Sequence, residues 1–338
     1  MKISFLVTYY NQEQYVRQSM DSILAIDKPS EWEILVGDDG SSDRTVEIVR
    51  EYVDRYPENI RLYVMPRDKE KRYYPVKRAS ENRIHLLEHC TGECFCVLDG
   101  DDFFCDTAFV KEAMSVFDEN PDISVVAFGY RYYRNGQWEE KIRLPAGVGP
   151  RVDTKDYIEH WYLHAGAGVH RISWDRSRLS YIRALGYFDD NDIMFNSLNY
   201  GRMYYINRCV YAYRQTGESV FTSMNAVEQA VLNVQGFDVD KRLIDPSLFP
   251  ALVNRNKSFI LTAYFWRRRL KDGLGKEKYD VYVSSSEQIE DSLTYRLLTF
   301  SSLSRDEKNR IHRLVFEIVK ENPVLSVKAF IKYMIGGQ

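Results

Sequence analysis

Apolar positions in the first hundred residues alternate between two rhythms. Ile3 to Val7 is a near-continuous apolar run, too short for a buried helix and rich in strand formers, and it predicts a strand covered on both faces. From Tyr15 onward Val16, Met20, Ile23 and Leu24 recur at helical spacing, which predicts an amphipathic helix. Glu33 to Val36 reads as a second strand, and Val46, Val49 and Val53 mark a second helix. A third strand is expected at Leu62 to Met65, a helix around Ile84 and Leu87, and a further strand at Phe95 to Leu98. This order predicts a right-handed, mainly parallel α/β sheet flanked by helices, with ligands collecting beyond the carboxyl ends of the strands.

Farther on, Val110, Ala113, Met114 and Phe117 mark a helix that Asn120-Pro121 ends. Ile123 to Phe128 reads as a strand, and Asn135-Gly136 as the turn of a hairpin. Beyond about Thr222 the pattern turns helical, through Leu243, Leu248, Phe249 and Leu252 to Tyr264-Phe265-Trp266.

Two predicted strands end in acid. The second runs into Gly37-Asp38-Asp39-Gly40-Ser41-Ser42-Asp43, and the apolar run ending at Leu98 meets Asp99-Gly100-Asp101-Asp102. Three carboxylates within four positions at a sheet edge are costly unless a cation or hydrogen-bonding ligand sits there. Hard oxygen donors of this kind suit Mg²⁺ or Mn²⁺. Taken alone, such a turn is more often solvated surface.

Order and spacing of these motifs resemble the GT-A glycosyltransferases of family 2, inverting enzymes that use nucleotide-activated sugars. Val7-Thr8-Tyr9-Tyr10-Asn11 resembles their first-strand motif, Val36 to Ser41 their nucleotide turn, and Leu98 to Asp102 their Asp-x-Asp metal motif, led in by Thr91-Gly92-Glu93. The resemblance covers roughly residues 1–220, which implies a GT-A catalytic domain there and a helical C-terminal region over 221–338. It implies Mn²⁺ or Mg²⁺ on Asp101 and Asp99, with Asp102 in support. Thr8, Tyr10, Asp38, Asp39, Arg78, Asp99, Gly100 and Asp101 are the implied nucleotide-sugar contacts. A late acidic pair at a helix start supplies the general base in the family, and Asp190 takes that place here, with Asp189 and Asp192 as alternates. Acids complementing a helix dipole are the other reading of those three. Tyr211-Ala212-Tyr213-Arg214 with Ser219 resembles the segment that closes the catalytic domain, where a basic side chain reaches the diphosphate. The Gln-x-x-Arg-Trp motif and membrane helices of the processive synthases are absent, so addition of one sugar, or a few, is expected over polymerisation; the resemblance itself implies a UDP-sugar donor and a saccharide or lipid-linked acceptor of a bacterial surface glycan.

The net charge of −3 makes no case for nucleic acid as a partner. Five cysteines argue against a disulfide framework, and no long apolar stretch is present, so a cytoplasmic chain is expected, with peripheral attachment to the inner face of the membrane as the alternative. Arg267-Arg268-Arg269 directly after Phe265-Trp266 is consistent with that attachment, and equally with a helix end packed on its own fold; Phe330 to Ile335 repeats the ambiguity. The charged segment Arg67 to Arg78 is either solvated surface or a basic loop offering Lys77 or Arg78 to a diphosphate. Ala165 to Arg171 and Leu144 to Pro150 are small-residue-rich and read as acceptor-side loops, with Trp161, Tyr162 and Trp174 as sugar platforms or core. His85 and His89 with the nearby cysteines raise a zinc reading that the cysteine spacing disfavours, and His160 with His164 forms a second such pair. A nucleotidyltransferase and a non-catalytic nucleotide-sugar-binding module are the rival classes; the first lacks its glycine-rich opening loop here.

Overall fold

The computed structural model describes residues 1–67, 75–141, 149–160, 163–175, 177–216 and 224–335, and the chain divides into two compact units, Met1–Glu218 and Ser219–Gln338. The first begins β1 (Ile3–Tyr9), α1 (Val16–Leu24), β2 (Trp32–Asp38), α2 (Thr45–Arg55), β3 (Ile60–Val64), α3 (Pro75–His89) and β4 (Cys94–Asp99). It continues through β5 (Phe103–Phe104), α4 (Phe109–Glu119), β6 (Ile123–Arg134), β7 (Gln137–Lys141), β8 (Arg151–Val152), α5 (Thr154–His160), β9 (Gly168–Arg171), α6 (Ser177–Leu185), α7 (Asp190–Leu198) and β10 (Arg202–Arg214).

All strands join one sheet with the path β3-β2-β1-β4-β9-β6-β10-β5; β7 pairs with β6 and β8 with β10. β3, β2, β1 and β4 are mutually parallel, and β10 runs parallel to β6. β9 lies between β4 and β6 antiparallel to both, so the sheet is mixed. β1 is buried along nearly its whole length, which is why its sequence runs apolar without alternation. On one face Val16, Met20 and Ile23 of α1 and Phe109, Ala113 and Phe117 of α4 close the core. Fully burying a side chain of this size stabilises by roughly 1.5–3 kcal/mol. β6 extends past the expected strand into the hairpin that turns at Asn135-Gly136.

The second unit is helical, with α8 (Ala226–Leu243), α9 (Phe249–Trp266), α10 (Leu270–Leu274), α11 (Lys276–Glu287), α12 (Leu293–Leu298), α13 (Arg305–Glu321) and α14 (Pro323–Ile335). Asp238, wholly buried on α8, accepts from the backbone N–H groups of Leu293 and Thr294 and from the Ser292 hydroxyl, so a carboxylate on one helix caps another. Arg267 lies 3.8 Å over the Tyr264 ring and donates to the Tyr264 carbonyl at 2.7 Å, closing α9, whereas Arg268 and Arg269 are exposed. The side chains from Phe330 onward lie outside the described residues. No helix among the described residues is long and apolar enough to cross a membrane.

Candidate active site

Both acidic turns flank the end of β1. Asp39 donates its backbone N–H to the Tyr9 carbonyl at 2.9 Å, and Gly100 donates its own to the Thr8 carbonyl at 2.9 Å. Adjacent parallel strands ending at one level produce this, and it is the position where open α/β sheets bind ligands.

In the first turn Asp38 is fully buried and spends both oxygens on Ser41, accepting from its backbone N–H at 2.8 Å and its hydroxyl at 2.5 Å. Burial pushes the Asp38 carboxyl up while Ser41 pulls it back. Asp38 therefore shapes the turn, and Asp39 is the carboxylate at its rim. Arg67 at 2.7 Å and Arg78 both pair with Asp39, so Arg78, expected on a diphosphate, sits at this turn paired with its carboxylate. The Arg67 guanidinium also stacks 4.0 Å over the exposed Tyr10 ring. Arg67 went unassigned from sequence, where its only signal was its place at the head of a charged run just after a strand. Residues 68–74 of that run lie outside the described residues.

In the second turn Asp99 accepts from Arg83 at 2.9 Å and from the Thr8 hydroxyl at 3.3 Å. Burial alone would raise the Asp99 carboxyl, but Arg83 and His164 beside it hold it below the usual range. Asp102 is buried, taking the Tyr211 hydroxyl at 2.7 Å and the Arg214 backbone N–H at 2.6 Å. Arg214 donates its Nε–H to the Asp101 carbonyl at 2.6 Å, which fastens the expected diphosphate contact to the acidic turn itself; Ser219 lies outside the described residues. Asp101 makes no ion pair among the described residues, and burial, then the charge on Asp99, push its carboxyl up to about 6. Gly100 admits no side chain: a Cβ there would sit 2.1 Å from Tyr9 Cδ1.

The third acidic group opens α7. Asp189 is the N-cap, accepting from Asn191 and Asp192, while Asp192 returns a bond to the Asp189 backbone N–H at 2.7 Å, a reciprocal capping box. Asp190 takes no part in the cap. Its Oδ2 lies 3.6 Å from His164 Nε2, and the Arg83 guanidinium is also near, yet burial raises its carboxyl overall. His164 Nδ1 accepts from the Gly166 N–H at 3.1 Å, so the ring proton sits on Nε2, facing Asp190. Tyr211 stacks on this imidazole with centroids 4.6 Å apart. From sequence His164 was only one half of a histidine pair; His160, its partner in that pairing, is exposed at the end of α5.

Asp99, Asp102 and His164 each offer a ligand atom, and these atoms lie within 4.8 Å of one another. The two carboxylates suit Mn²⁺ or Mg²⁺, and the unpaired Asp101 charge beside them favours a cation further, whereas the imidazole would join them only with Nε2 deprotonated. Asp101, expected as the first ligand, is outside this group. No second group of this kind occurs among the described residues. His85 and His89 instead pack on Tyr63, the first edge-on and the second tilted, with centroids 5.2 and 4.7 Å from its ring. The small residues at 165–168 are buried, not lining an open acceptor surface: a Cβ on Gly166 would lie 2.4 Å from Tyr211, so their smallness lets the 3-10 turn Ala165–Ala167 press against Tyr211 and β4. Trp174 is likewise buried, and Trp161, Tyr162 and residues 142–148 lie outside the described residues.

Known proteins resemble this chain in sequence and in fold. The putative glycosyltransferase EpsE of Bacillus subtilis is 32% identical over 221 residues, 64% of this chain and 74% of its own length. Uncharacterized mycobacterial relatives match at 27% identity over 128 residues, so the match spans about a third (33%) of their length. Among solved structures, residues 1–349 of TarS from Staphylococcus aureus in complex with UDP-GlcNAc superpose with a TM-score of 0.60 at 18% identity, covering 99% of this chain and 92% of that one. A Pyrobaculum calidifontis mannosyltransferase with GDP-Man and Mn²⁺ gives 0.52 at 15% identity, covering 99% and 88%. At these identities the superpositions establish the GT-A fold. Residues 4–177 match the family model described as glycosyl transferase family 2, a span that holds both acidic turns and His164 and stops short of Asp190, and this chain belongs to that family.

Proposed function

We propose that this chain transfers a sugar, with inversion and one residue at a time, from a nucleotide-diphosphate sugar to a saccharide or lipid-linked acceptor in bacterial surface-glycan synthesis. The observation that carries the reading is the meeting of a metal-type donor set with Asp190 around His164 and Arg83. Asp99 and Asp101 would hold Mn²⁺ or Mg²⁺, with Asp102 beside Asp99 in support. When bound, the ion supplies Lewis-acid neutralisation of the departing diphosphate. Thr8, Tyr10, Asp39 and Gly100 contact the donor at the end of β1, Asp38 shapes that turn, and Arg78 fixes Asp39. Asp190 takes the acceptor hydroxyl proton, and its raised carboxyl makes it the stronger base for that task. His164 orients it through Nε2–H. The TarS complex with UDP-GlcNAc supports a UDP donor; GDP-Man on the Pyrobaculum enzyme means that a donor panel is needed.

The test is release of nucleoside diphosphate from a panel of UDP- and GDP-sugars with Mn²⁺, with Mg²⁺ and with chelator. Metal-dependent release of UDP is the expected result. Pyrophosphate release would make the chain a nucleotidyltransferase, and donor-induced thermal stabilisation without turnover would make it a binding module. Peripheral contact with an anionic membrane is part of the proposal, supported by the exposure of Arg268 and Arg269 beside the aromatic end of α9. Sedimentation with anionic vesicles should weaken in high salt and on reversal of these two charges.

A further inference from the structure

Cys105 lies three residues past Asp102, and Cys209 lies on β10, which pairs antiparallel with β5. Their sulfurs are 3.9 Å apart, Cys105 exposed and Cys209 half-buried, while Cys90, Cys94 and Cys96 are all buried. The Cys105 backbone N–H already bonds the Val210 carbonyl at 2.8 Å, so the two segments are held side by side. The pairing of β10 with β6 is irregular on both sides of Cys209, which gives the local backbone freedom to adjust.

We propose that Cys105 and Cys209 are a reversible disulfide site, closed by exchange with a small-molecule disulfide of the glutathione type. The Cys105 thiolate attacks one sulfur of the reagent and expels a thiolate, leaving a mixed disulfide. The Cys209 thiolate then attacks Cys105 Sγ and expels the second reagent thiolate. The protein loses two protons and two electrons, and the reagent disulfide becomes two thiols. The new bond ties the segment after Asp102 to the strand that carries both of its partners, Tyr211 and Arg214. The hydrogen bond to Cys209 and then burial hold the Cys105 thiol well above its usual range, Asp106 adds to this and Arg131 opposes it. Arg208, next to Cys209, is paired with Asp106 and Glu112. Closure is therefore slow near neutrality and quickens as pH rises.

The experiment treats the full chain with oxidised glutathione at mildly alkaline pH, followed by intact mass and peptide mapping without reductant. The expected result is a single species lighter by two hydrogens, with Cys105 linked to Cys209, reopened by dithiothreitol and melting about 5 °C higher than the reduced form. Cys209→Ser should instead accumulate the glutathione adduct on Cys105, and Cys105→Ser should form no linkage, both with donor turnover unchanged. A glutathione adduct that persists on Cys105 in the unaltered chain, or two thiols that both remain open to alkylation after treatment, would overturn the assignment.

Discussion

The turn after β4 and the start of α7 each place three carboxylates within four positions, Asp99, Asp101 and Asp102 in one and Asp189, Asp190 and Asp192 in the other. At the helix start two of the three hold backbone, since Asp189 and Asp192 satisfy N–H groups that the first turn leaves without partners. In the turn, Asp102 holds Tyr211 and Arg214 and Asp99 is paired with Arg83. One carboxylate in each cluster is left without a structural task, Asp101 in the first and Asp190 in the second. Hydrogen bonding thus separates the carboxylates that build each cluster from the one that bonds no other backbone or side chain among the described residues, which is where the proposed roles of metal binding and proton transfer are placed.

The comparison breaks most sharply at α7. Asp190→Asn should cut turnover by roughly 10²–10⁴ while leaving donor binding nearly intact, because only the proton acceptor is lost. Asp192→Asn should cost about 1 kcal/mol of stability through the cap, with turnover within tenfold. Steady-state rates beside calorimetry of donor binding measure both, and the reverse pattern would move the base two residues along. In the turn, Asp101→Asn should weaken Mn²⁺-dependent donor binding by about tenfold or more, since an amide loses the charge that favours the cation. Unchanged binding would remove Asp101 from the metal.

His164 sharpens the same contrast, because its single free nitrogen faces Asp190 and lies among the metal-type donors. His164→Asn should lower turnover about tenfold at an unchanged Mn²⁺ half-saturation. A shifted half-saturation would put the imidazole on the ion instead. A histidine nearby serves only the fold and touches stability, not turnover. His170 is fully buried between the Ala165 carbonyl at 3.0 Å and the Ser197 hydroxyl at 3.1 Å, and burial pushes it down to about 4. The unfolded chain takes up this proton first, near 6.5, so stability is full above that pH and falls as pH drops toward 4, by roughly 3 kcal/mol. Urea midpoints across that range should show the fall, and His170→Gln should flatten it.

The strands and helices that carry the site were legible because each has a local cause. β1 is apolar along its length since both faces are covered, α1 repeats Val16, Met20 and Ile23 because one face is buried, and Asp-rich turns follow strands whose ends lie level. Not legible was which long-range partner each polar group takes. Arg78 and Arg67 converge on Asp39 from 39 and 28 residues away, and Arg214 reaches the Asp101 carbonyl across 113. The mixed sheet has the same origin: β9 between β4 and β6 is a short segment, and the small residues leading into it read as an open loop, although Gly166 there is small because Tyr211 packs against it.

Local periodicity and strand-end chemistry by themselves determined the α/β order, the helical character after residue 223 and the two acidic turns, because these depend on neighbours a few positions apart. Tertiary structure alone decided that Asp38 and Asp102 are spent on hydrogen bonds, that His164 faces Asp190, and that Cys105 meets Cys209. Each of those outcomes depends on strands and loops brought together from distant parts of the chain, where burial removes competing water and leaves a polar group only the partners that the fold supplies.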